Sequence, residues 1–88
     1  MKIKFKKTFL KELSKLPTEI REKVENLVFK DILEISSLKE IKGVKKIKGY
    51  KSFYRIKIDD YRIGFELKKD GLIFYRIKHR KDIYKYFP

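Results

Sequence analysis

Four of the five arginines in this 88-residue chain lie between residues 55 and 80, whereas lysine supplies most of the other positive charge. A guanidinium cannot lose its charge and can bind a phosphate through two parallel hydrogen bonds. These arginines alternate with apolar residues, and the pleat of a strand sends alternate side chains to opposite faces. This parity groups six cations on one face of a predicted sheet, namely Arg55, Lys57, Arg62, Arg76, Lys78 and Arg80.

The charge of the whole chain fits a polyanionic partner. The formal net charge is +13, and residues 45–88 carry 14 of the 25 basic side chains but only five of the 12 acidic ones. Such an excess points to nucleic acid, an anionic membrane surface or an acidic protein. A lysine-rich surface that is merely solvated is the alternative. Tyr84, Tyr86 and Phe87 follow the cations closely, and exposed aromatic rings beside cations can stack on nucleic-acid bases.

Other chemistries find little support in the sequence. Cysteine is absent and His79 is the single histidine, so no cofactor and no metal are expected. Glu66 and His79 are possible acid–base groups; a salt-bridged carboxylate and a histidine that satisfies one hydrogen bond are the alternatives. No apolar run is long enough to span a membrane, and lysines interrupt the N-terminal apolar residues. We therefore expect a cytoplasmic protein.

The elements that must position these groups follow from hydrophobic periodicity. A short strand at Ile3 and Phe5 precedes a helix from Phe9 to Leu16, which Thr8 is predicted to cap. Pro17 starts a second helix whose apolar stripe runs to Ile35. Strands are predicted near residues 44–48, 52–59, 61–69 and 72–79, with turns at residues 59–60 and 70–71.

The predicted fold is a single α+β domain over residues 1–88, with the helical hairpin packed on one face of a mainly antiparallel sheet. In the last strand, strict alternation predicts that Ile73, Tyr75 and Ile77 face the helices. Phe74 would then share the opposite face with the cations.

Residues 49–84 resemble the C-terminal part of the RelE/ParE toxin superfamily. The resemblance rests on the segment GYKSFYRIKIDDYRIGFELKKDGLIFYRIKHRKDIY, with Tyr-Arg pairs at residues 54–55 and 61–62 and its ending His-Arg-x-x-Ile-Tyr. A strand followed by a helical hairpin with a corner at Leu13, Lys15, Leu16 and Pro17 extends the similarity over nearly the whole chain. It implies the toxin of a type II toxin–antitoxin pair, a metal-independent endoribonuclease that cuts messenger RNA in the ribosomal A site.

The same resemblance implies the site residues and partners. The catalytic positions carry over as Arg55, Lys57, Arg62, Arg80 and Tyr84, with Glu66 and His79 as possible secondary groups. Wider contacts to RNA or the ribosome fall to Arg76, Lys78 and Lys81. The expected partners are messenger RNA on a 70S-type ribosome and an acidic, RelB-like antitoxin in a hetero-oligomer, with no membrane.

The expected reaction is attack of the RNA 2′-hydroxyl on the adjacent phosphate, which leaves a 2′,3′-cyclic phosphate. Arg62 and Arg80 would stabilise the phosphorane, Lys57 would take the 2′-proton, and Tyr84 would hold a base. Arg55 stands where some relatives have lysine, so a proton-transfer role there is in doubt. Three alternatives remain open: a ParE-type inhibitor of DNA gyrase without catalysis, a non-catalytic nucleic-acid-binding module, and membrane-surface binding through residues 1–16.

Overall fold

The computed structural model describes residues 2–88 and has five strands in one sheet, in the order β1-β5-β4-β3-β2. The first strand lies parallel to β5, and all other neighbours are antiparallel. None of the helices in residues 2–88 could cross a membrane. The elements are β1 (Lys2–Phe5), α1 (Lys7–Ser14), α2 (Thr18–Phe29), β2 (Val44–Lys46), β3 (Phe53–Ile58), β4 (Tyr61–Lys68), β5 (Gly71–His79) and α3 (Ile83–Tyr86).

The predicted α+β architecture is confirmed, but the predicted ends of the helices need correction. Thr8 falls inside α1, whose N-cap is Lys6 without a side-chain hydrogen bond, so the predicted Thr8 cap is wrong. The second helix ends at Phe29, and its apolar stripe continues through a 3-10 turn at Asp31–Leu33; a second 3-10 turn follows at Leu38–Glu40. Ile32 stays fully buried in the first of these turns. The apolar stripe therefore predicted the burial of Ile32 correctly but predicted too long a helix.

One face of the sheet, called here the inner face, holds the main core. Phe9 and Leu13 of α1 and Val24 and Val28 of α2 are buried against it. They pack on apolar side chains that β3, β4 and β5 direct to this face. Burying a side chain of this size stabilises a fold by about 1.5–3 kcal/mol, so these helices hold the sheet rigid. The sheet side of the core comprises Ile56, Ile63, Phe65, Leu72, Phe74 and Ile77.

A β-bulge in β5 overturns the predicted faces of that strand. Phe65 pairs with Phe74 but Gly64 pairs with Arg76, so Tyr75 is the extra residue. Before the bulge Leu72 and Phe74 face the core, and after it Ile77 does. The prediction that Ile73 and Tyr75 share the face of Ile77 is therefore wrong, because alternation holds only where the ladder is regular.

The other face of the sheet, called here the outer face, is partly covered by α3. Ile83 and Phe87 are four residues apart, lie on one side of this turn, and are buried. The Phe87 ring packs edge-on against Phe53, at 5.3 Å between centroids, and lies tilted against Tyr75 at 5.6 Å. It lies directly over Gly64, where an added Cβ would come within 2.4 Å of the ring. Gly64 thus makes the notch that seats the C-terminal segment.

We expect Gly64→Ala to lower the free energy of unfolding by about 1–3 kcal/mol, the usual range for inserting a methyl group into a packed site. The new methyl group must displace the Phe87 ring, since the β4 backbone is fixed by strands on both sides. Urea unfolding followed by circular dichroism measures the change.

Phe87→Ala provides the matched background. Without the ring, Gly64→Ala should be neutral or slightly stabilising, because alanine restricts the unfolded chain more than glycine does. An equal loss of stability in both backgrounds would place the strain in β4 itself and would contradict a contact between residue 64 and the Phe87 ring.

Candidate nucleic-acid interface

Three cations form a row across the outer face of the sheet. Lys57 of β3 pairs with Arg62 of β4, which pairs with Lys78 of β5. The tight turn between β3 and β4 sets this register, and Asp59 takes a positive φ of 51° there. Side chains that lie directly opposite on neighbouring strands have Cβ atoms about 4.5–5.5 Å apart, and like charges in such positions destabilise a sheet. The row therefore needs compensating anions.

Arg62 and Arg80 meet at that turn. The Nη1 atom of Arg62 donates to the carbonyl oxygens of Asp59 and Tyr61, both at 3.0 Å. The backbone N–H of Arg80 donates to the Asp60 carbonyl at 2.7 Å, and its Nε lies 3.6 Å from the Asp60 carboxylate. The Arg62 side chain and the Arg80 backbone are thus anchored at one end of the sheet, as a pair acting on one phosphate would have to be.

Arg55 is fixed one row further along β3. Its Nη1 atom donates at 3.1 Å to the carbonyl of Gly43, which also accepts the Lys57 N–H at 3.0 Å. Gly43 has a positive φ of 83°, and a Cβ there would lie 2.7 Å from the Lys57 carbonyl oxygen. Only glycine lets this loop approach β3 so closely, so Gly43 positions both cations.

Tyr84 stands beside Arg55. The two side chains line an open cleft of about 350 Å³, together with Lys45, Lys46 and Lys48 around β2. The Tyr84 side chain is 60% exposed although its helical turn is packed on the sheet. An aromatic ring held at the edge of a lysine-rich cleft suits a base above a phosphate backbone.

Carboxylates compensate only part of the outer face. Within residues 2–88, no carboxylate oxygen lies within 4.0 Å of the side-chain nitrogens of Arg55, Lys57 or Arg62. Arg62 is half-buried, and a guanidinium drawn from water without a counterion is unfavourable. The arrangement is therefore suited to an external anion.

The remaining two cations of the face, Arg76 and Lys78, have an internal partner that the sequence analysis missed. Glu12 of α1 accepts two hydrogen bonds from Nε of Arg76, at 3.1 and 3.2 Å, and one from Nη2 at 2.7 Å. The same carboxylate lies 3.0 Å from the Lys78 ammonium and accepts the Ile77 N–H at 3.1 Å. Glu12 is the single acidic residue before Glu19 and is next to the buried Leu13. This isolated position could have identified it from the sequence as a candidate partner for the cations.

The Tyr86 ring completes what we call the Glu12 cluster, made of Glu12, Arg76, Lys78 and Tyr86. The ring centroid lies 4.7 Å from the Arg76 guanidinium carbon and 4.7 Å from the Lys78 ammonium. Burial raises the pKa of Glu12, but the hydrogen bonds from Arg76, Lys78 and the Ile77 N–H together hold it below its ordinary value of 4.5. Glu12 is thus ionised in the folded protein at neutral pH and offsets one of the two positive charges of Arg76 and Lys78.

The structure does not bring Glu66 and His79 together. Glu66 accepts the Tyr75 hydroxyl at 2.7 Å and pairs with Lys68 at 3.2 Å. Donation from Tyr75, reinforced by Lys68, holds the pKa of Glu66 below its ordinary value and weakens it as a base. Glu66 is also four residues from Arg62 along β4, about 13 Å at the rise of a strand.

His79 lies on the opposite face from the cation row. Its ring packs edge-on against Tyr61 at 5.6 Å, and its Nδ1 accepts the N–H of Lys81 at 3.2 Å. The exposed Lys81 follows the end of β5, close in sequence to Arg80. Among residues 2–88, no group of three His, Cys, Asp or Glu side chains could hold a metal ion.

The Glu12 carboxylate should make stability depend on pH in a defined window. Because its pKa is depressed on folding, its contribution is complete above about pH 4.5 and is lost as the pH falls through the lower folded value. We expect Glu12→Gln to be less stable than the wild type at neutral pH, with the gap closing below pH 4.5. The midpoints of urea unfolding, measured between pH 7 and pH 3, give the stability of the wild type and of Glu12→Gln as a function of pH.

Glu22→Gln is the matched control, since it removes the same charge from an exposed position of α2. Glu66 also has a lowered pKa and contributes to the pH dependence of stability. This contribution is the same in the wild type, Glu12→Gln and Glu22→Gln, so it cancels when they are compared. A gap between wild type and Glu12→Gln that stayed constant down to pH 3 would contradict the assignment.

Comparisons with known proteins agree with this architecture. Residues 3–84 match the family model described as ParE toxin of type II toxin-antitoxin system, parDE. The chain is 46% identical to the protein named Toxin RelE3 of Methanocaldococcus jannaschii, an alignment that covers the whole of both chains.

Two solved structures from archaea are similar over nearly their full length. The toxin in the RelB-RelE antitoxin-toxin complex from Methanococcus jannaschii superposes with a TM-score of 0.81 and 44% identity, covering 97% of this chain and 99% of the other. The toxin in the RelE-RelB complex from Pyrococcus horikoshii superposes with a TM-score of 0.70 and 26% identity, covering 93% of this chain and 97% of the other. On the family match and the full-length identity, this protein belongs to the RelE/ParE superfamily of type II toxin–antitoxin toxins.

Proposed function

We propose that this toxin is an endoribonuclease that cleaves messenger RNA on the ribosome without a cofactor and so inhibits translation. The observation that carries the proposal is the group of cations without carboxylate partners on the outer face, Arg55, Lys57 and Arg62, within residues 2–88. The similarity to proteins named RelE supports the same assignment.

The proposed reaction uses the RNA's own nucleophile. The 2′-oxygen attacks the adjacent phosphorus, its proton passes to a base, and the 5′-oxygen leaves with a proton to give a 2′,3′-cyclic phosphate. Negative charge grows on the phosphorane oxygens, so cations held in place by the fold stabilise the transition state more than the ground state. We assign this role to Arg62 and Arg80, which the β3–β4 turn fixes at one end of the sheet.

The other site residues receive roles that fit their positions. We assign uptake of the 2′-proton to Lys57, which is open to the RNA and pairs with Arg62 across the strands. Arg55 contacts the phosphate next in line, and Tyr84 stacks on a base in the cleft they share. Lys81 extends the RNA contact beyond Arg80. Arg76 and Lys78 are already paired with Glu12, so direct RNA binding by them is not part of the proposal.

Orientation of the RNA is assigned to the ribosome. A site this exposed does little to restrain a flexible strand, and correct orientation can supply up to about 7–11 kcal/mol of a barrier. Free RNA should accordingly be cut poorly. We place this activity in the cytoplasm, where ribosomes translate.

We also propose an acidic RelB-like antitoxin as the partner in a hetero-oligomer. Similar toxins have been solved as RelB–RelE complexes, and a net charge of +13 favours association with an acidic chain. Its carboxylates would supply the anions that the outer face lacks. Copurification with the product of an adjacent acidic reading frame, and release by salt, would support this pairing.

A ParE-type action on DNA gyrase is the second candidate, because the matching family model carries the ParE name. A protein that only binds gyrase has no use for a phosphate cluster, whereas an endoribonuclease requires one. A supercoiling assay with purified gyrase separates the two: inhibition by a protein that leaves translated RNA intact would favour the second candidate.

We expect Arg62→Ala and Arg80→Ala each to slow cleavage by about 10²–10³-fold, the usual effect of removing one electrostatic contact to a transition state. Primer extension on a translated messenger RNA measures the cuts, with ribosome-free RNA alongside.

Arg21→Ala is the control, since Arg21 is the one arginine outside residues 55–80 and lies on α2. Its loss should leave the rate unchanged. No cuts by a folded, antitoxin-free wild-type protein would refute the proposal, and equal losses in all three variants would refute the assigned roles.

Tyr84 offers a separate test of base stacking. Tyr84→Phe keeps the ring and should retain most of the activity, whereas Tyr84→Leu should lose about 10–100-fold, the equivalent of the 1–3 kcal/mol typical of a base–aromatic stack. The same primer-extension assay gives both rates. A larger loss in Tyr84→Phe than in Tyr84→Leu would instead assign the hydroxyl a role in proton transfer.

A further inference from the structure

The direction of the Tyr84 side chain depends on how α3 is held on the sheet. Ile83 and Phe87 anchor this helical turn from one side, and both are buried. Two anchors on one line leave a short helix free to roll about that line. A third contact, away from the line, is required to fix Tyr84 over the cleft with Arg55.

Tyr86 makes that third contact. Its ring is 52% exposed, so burial alone does not hold it. It lies instead 4.7 Å from the Arg76 guanidinium and 4.7 Å from the Lys78 ammonium, and a cation attracts the face of an aromatic ring. Tyr86 and Tyr84 are two residues apart and therefore project from nearly opposite sides of the turn. Fixing one of them fixes the other.

Both cations under Tyr86 are held by the same carboxylate. Glu12 binds Arg76 through both of its oxygens and contacts Lys78 at 3.0 Å. Its side chain is only 13% exposed, and the neighbouring Leu13 is buried in the main core. The platform under Tyr86 is therefore tied to α1 and the core, and not to solvated side chains.

We propose that Glu12 is a positioning residue for Tyr84, acting through Arg76, Lys78 and Tyr86. This inference rests on the proposed function, in which Tyr84 stacks on the RNA. It gives Arg76 and Lys78 a structural use in place of a phosphate contact. Glu12 itself touches no substrate.

Hydrogen exchange tests, without any activity assay, whether Glu12 holds α3 in place. The N–H of Phe87 donates to the Ile83 carbonyl at 2.9 Å, and that of Lys85 donates to the Asp82 carbonyl at 3.0 Å. Glu12→Gln should speed exchange at these two amides about tenfold. Glu22→Gln, which makes the same change in net charge, should not. Unchanged exchange in Glu12→Gln would overturn the proposal.

Kinetics on translated messenger RNA test the consequence for Tyr84. Glu12→Gln should lower kcat about tenfold with KM unchanged, and it should add nothing in a Tyr84→Leu background. A lower KM with unchanged kcat would mean that the released Arg76 and Lys78 bind RNA directly, and would overturn the proposal.

Tyr86 supplies a second pair of variants, independent of any effect of Glu12 on folding. Tyr86→Leu should reproduce the loss in kcat, and Tyr86→Phe should restore it because the ring face remains. Equal losses of kcat in the two variants would show that the contact between the cations and the Tyr86 ring does not hold α3, and would overturn the proposal. If the wild-type protein cuts no RNA, the proposed function fails, whereas the exchange rates still decide whether Glu12 fixes the turn that carries Tyr84.

Discussion

On its β1 side, the backbone of β5 loses its strand partner after Phe74, and the Glu12 carboxylate takes that partner's place. The last ladder bond from the β1 side is the Lys6 N–H to the Phe74 carbonyl at 2.9 Å, after which the chain turns into α1. A half-covered strand edge needs another acceptor, and Glu12 provides one to the Ile77 N–H at 3.1 Å. The same carboxylate organises the cations on either side of Ile77. The edge, the bulge and the C-terminal helix therefore share one anion.

The outer face is divided by α3 into two electrostatic environments. On the β5 side, Arg76 and Lys78 share the single negative charge of Glu12, and Tyr86 contacts both cations. On the β3 side, Arg55 and Lys57 have no carboxylate partner among the described residues, and Tyr84 shares a cleft with Arg55. Uncompensated like charges are unfavourable within a fold, so a surface of this kind gains most from a bound polyanion. Both the RNA and the acidic antitoxin proposed above would supply one, which explains how one surface could serve the activity and its inhibition.

Family membership and fold leave the choice between RelE-type and ParE-type action to the side chains. The matching family model carries the ParE name, and the full-length relative carries the RelE name. One architecture can host unrelated functions, so the argument must rest on the site. Here the candidate site is a set of cations on rigid strands, contacted by the β3–β4 turn and by the Gly43 carbonyl. A surface of arginines held by backbone acceptors is better suited to a developing phosphorane than to a protein partner alone.

The sequence by itself determined the fold class, the hairpin turns and the outer-face parity of β3 and β4, because these depend on local periodicity that regular strands preserve. It also grouped six cations on one face, since their spacing follows from the pleat: Arg55, Lys57, Arg62, Arg76, Lys78 and Arg80. The resemblance to the toxin superfamily then selected the catalytic candidates. Only the tertiary structure decided the faces of β5, where one extra residue, Tyr75, reverses the alternation. It alone paired Glu12 with Arg76, across 64 positions of sequence, and seated Phe87 over Gly64. Contacts of this kind depend on the relative placement of whole elements, which no local pattern encodes.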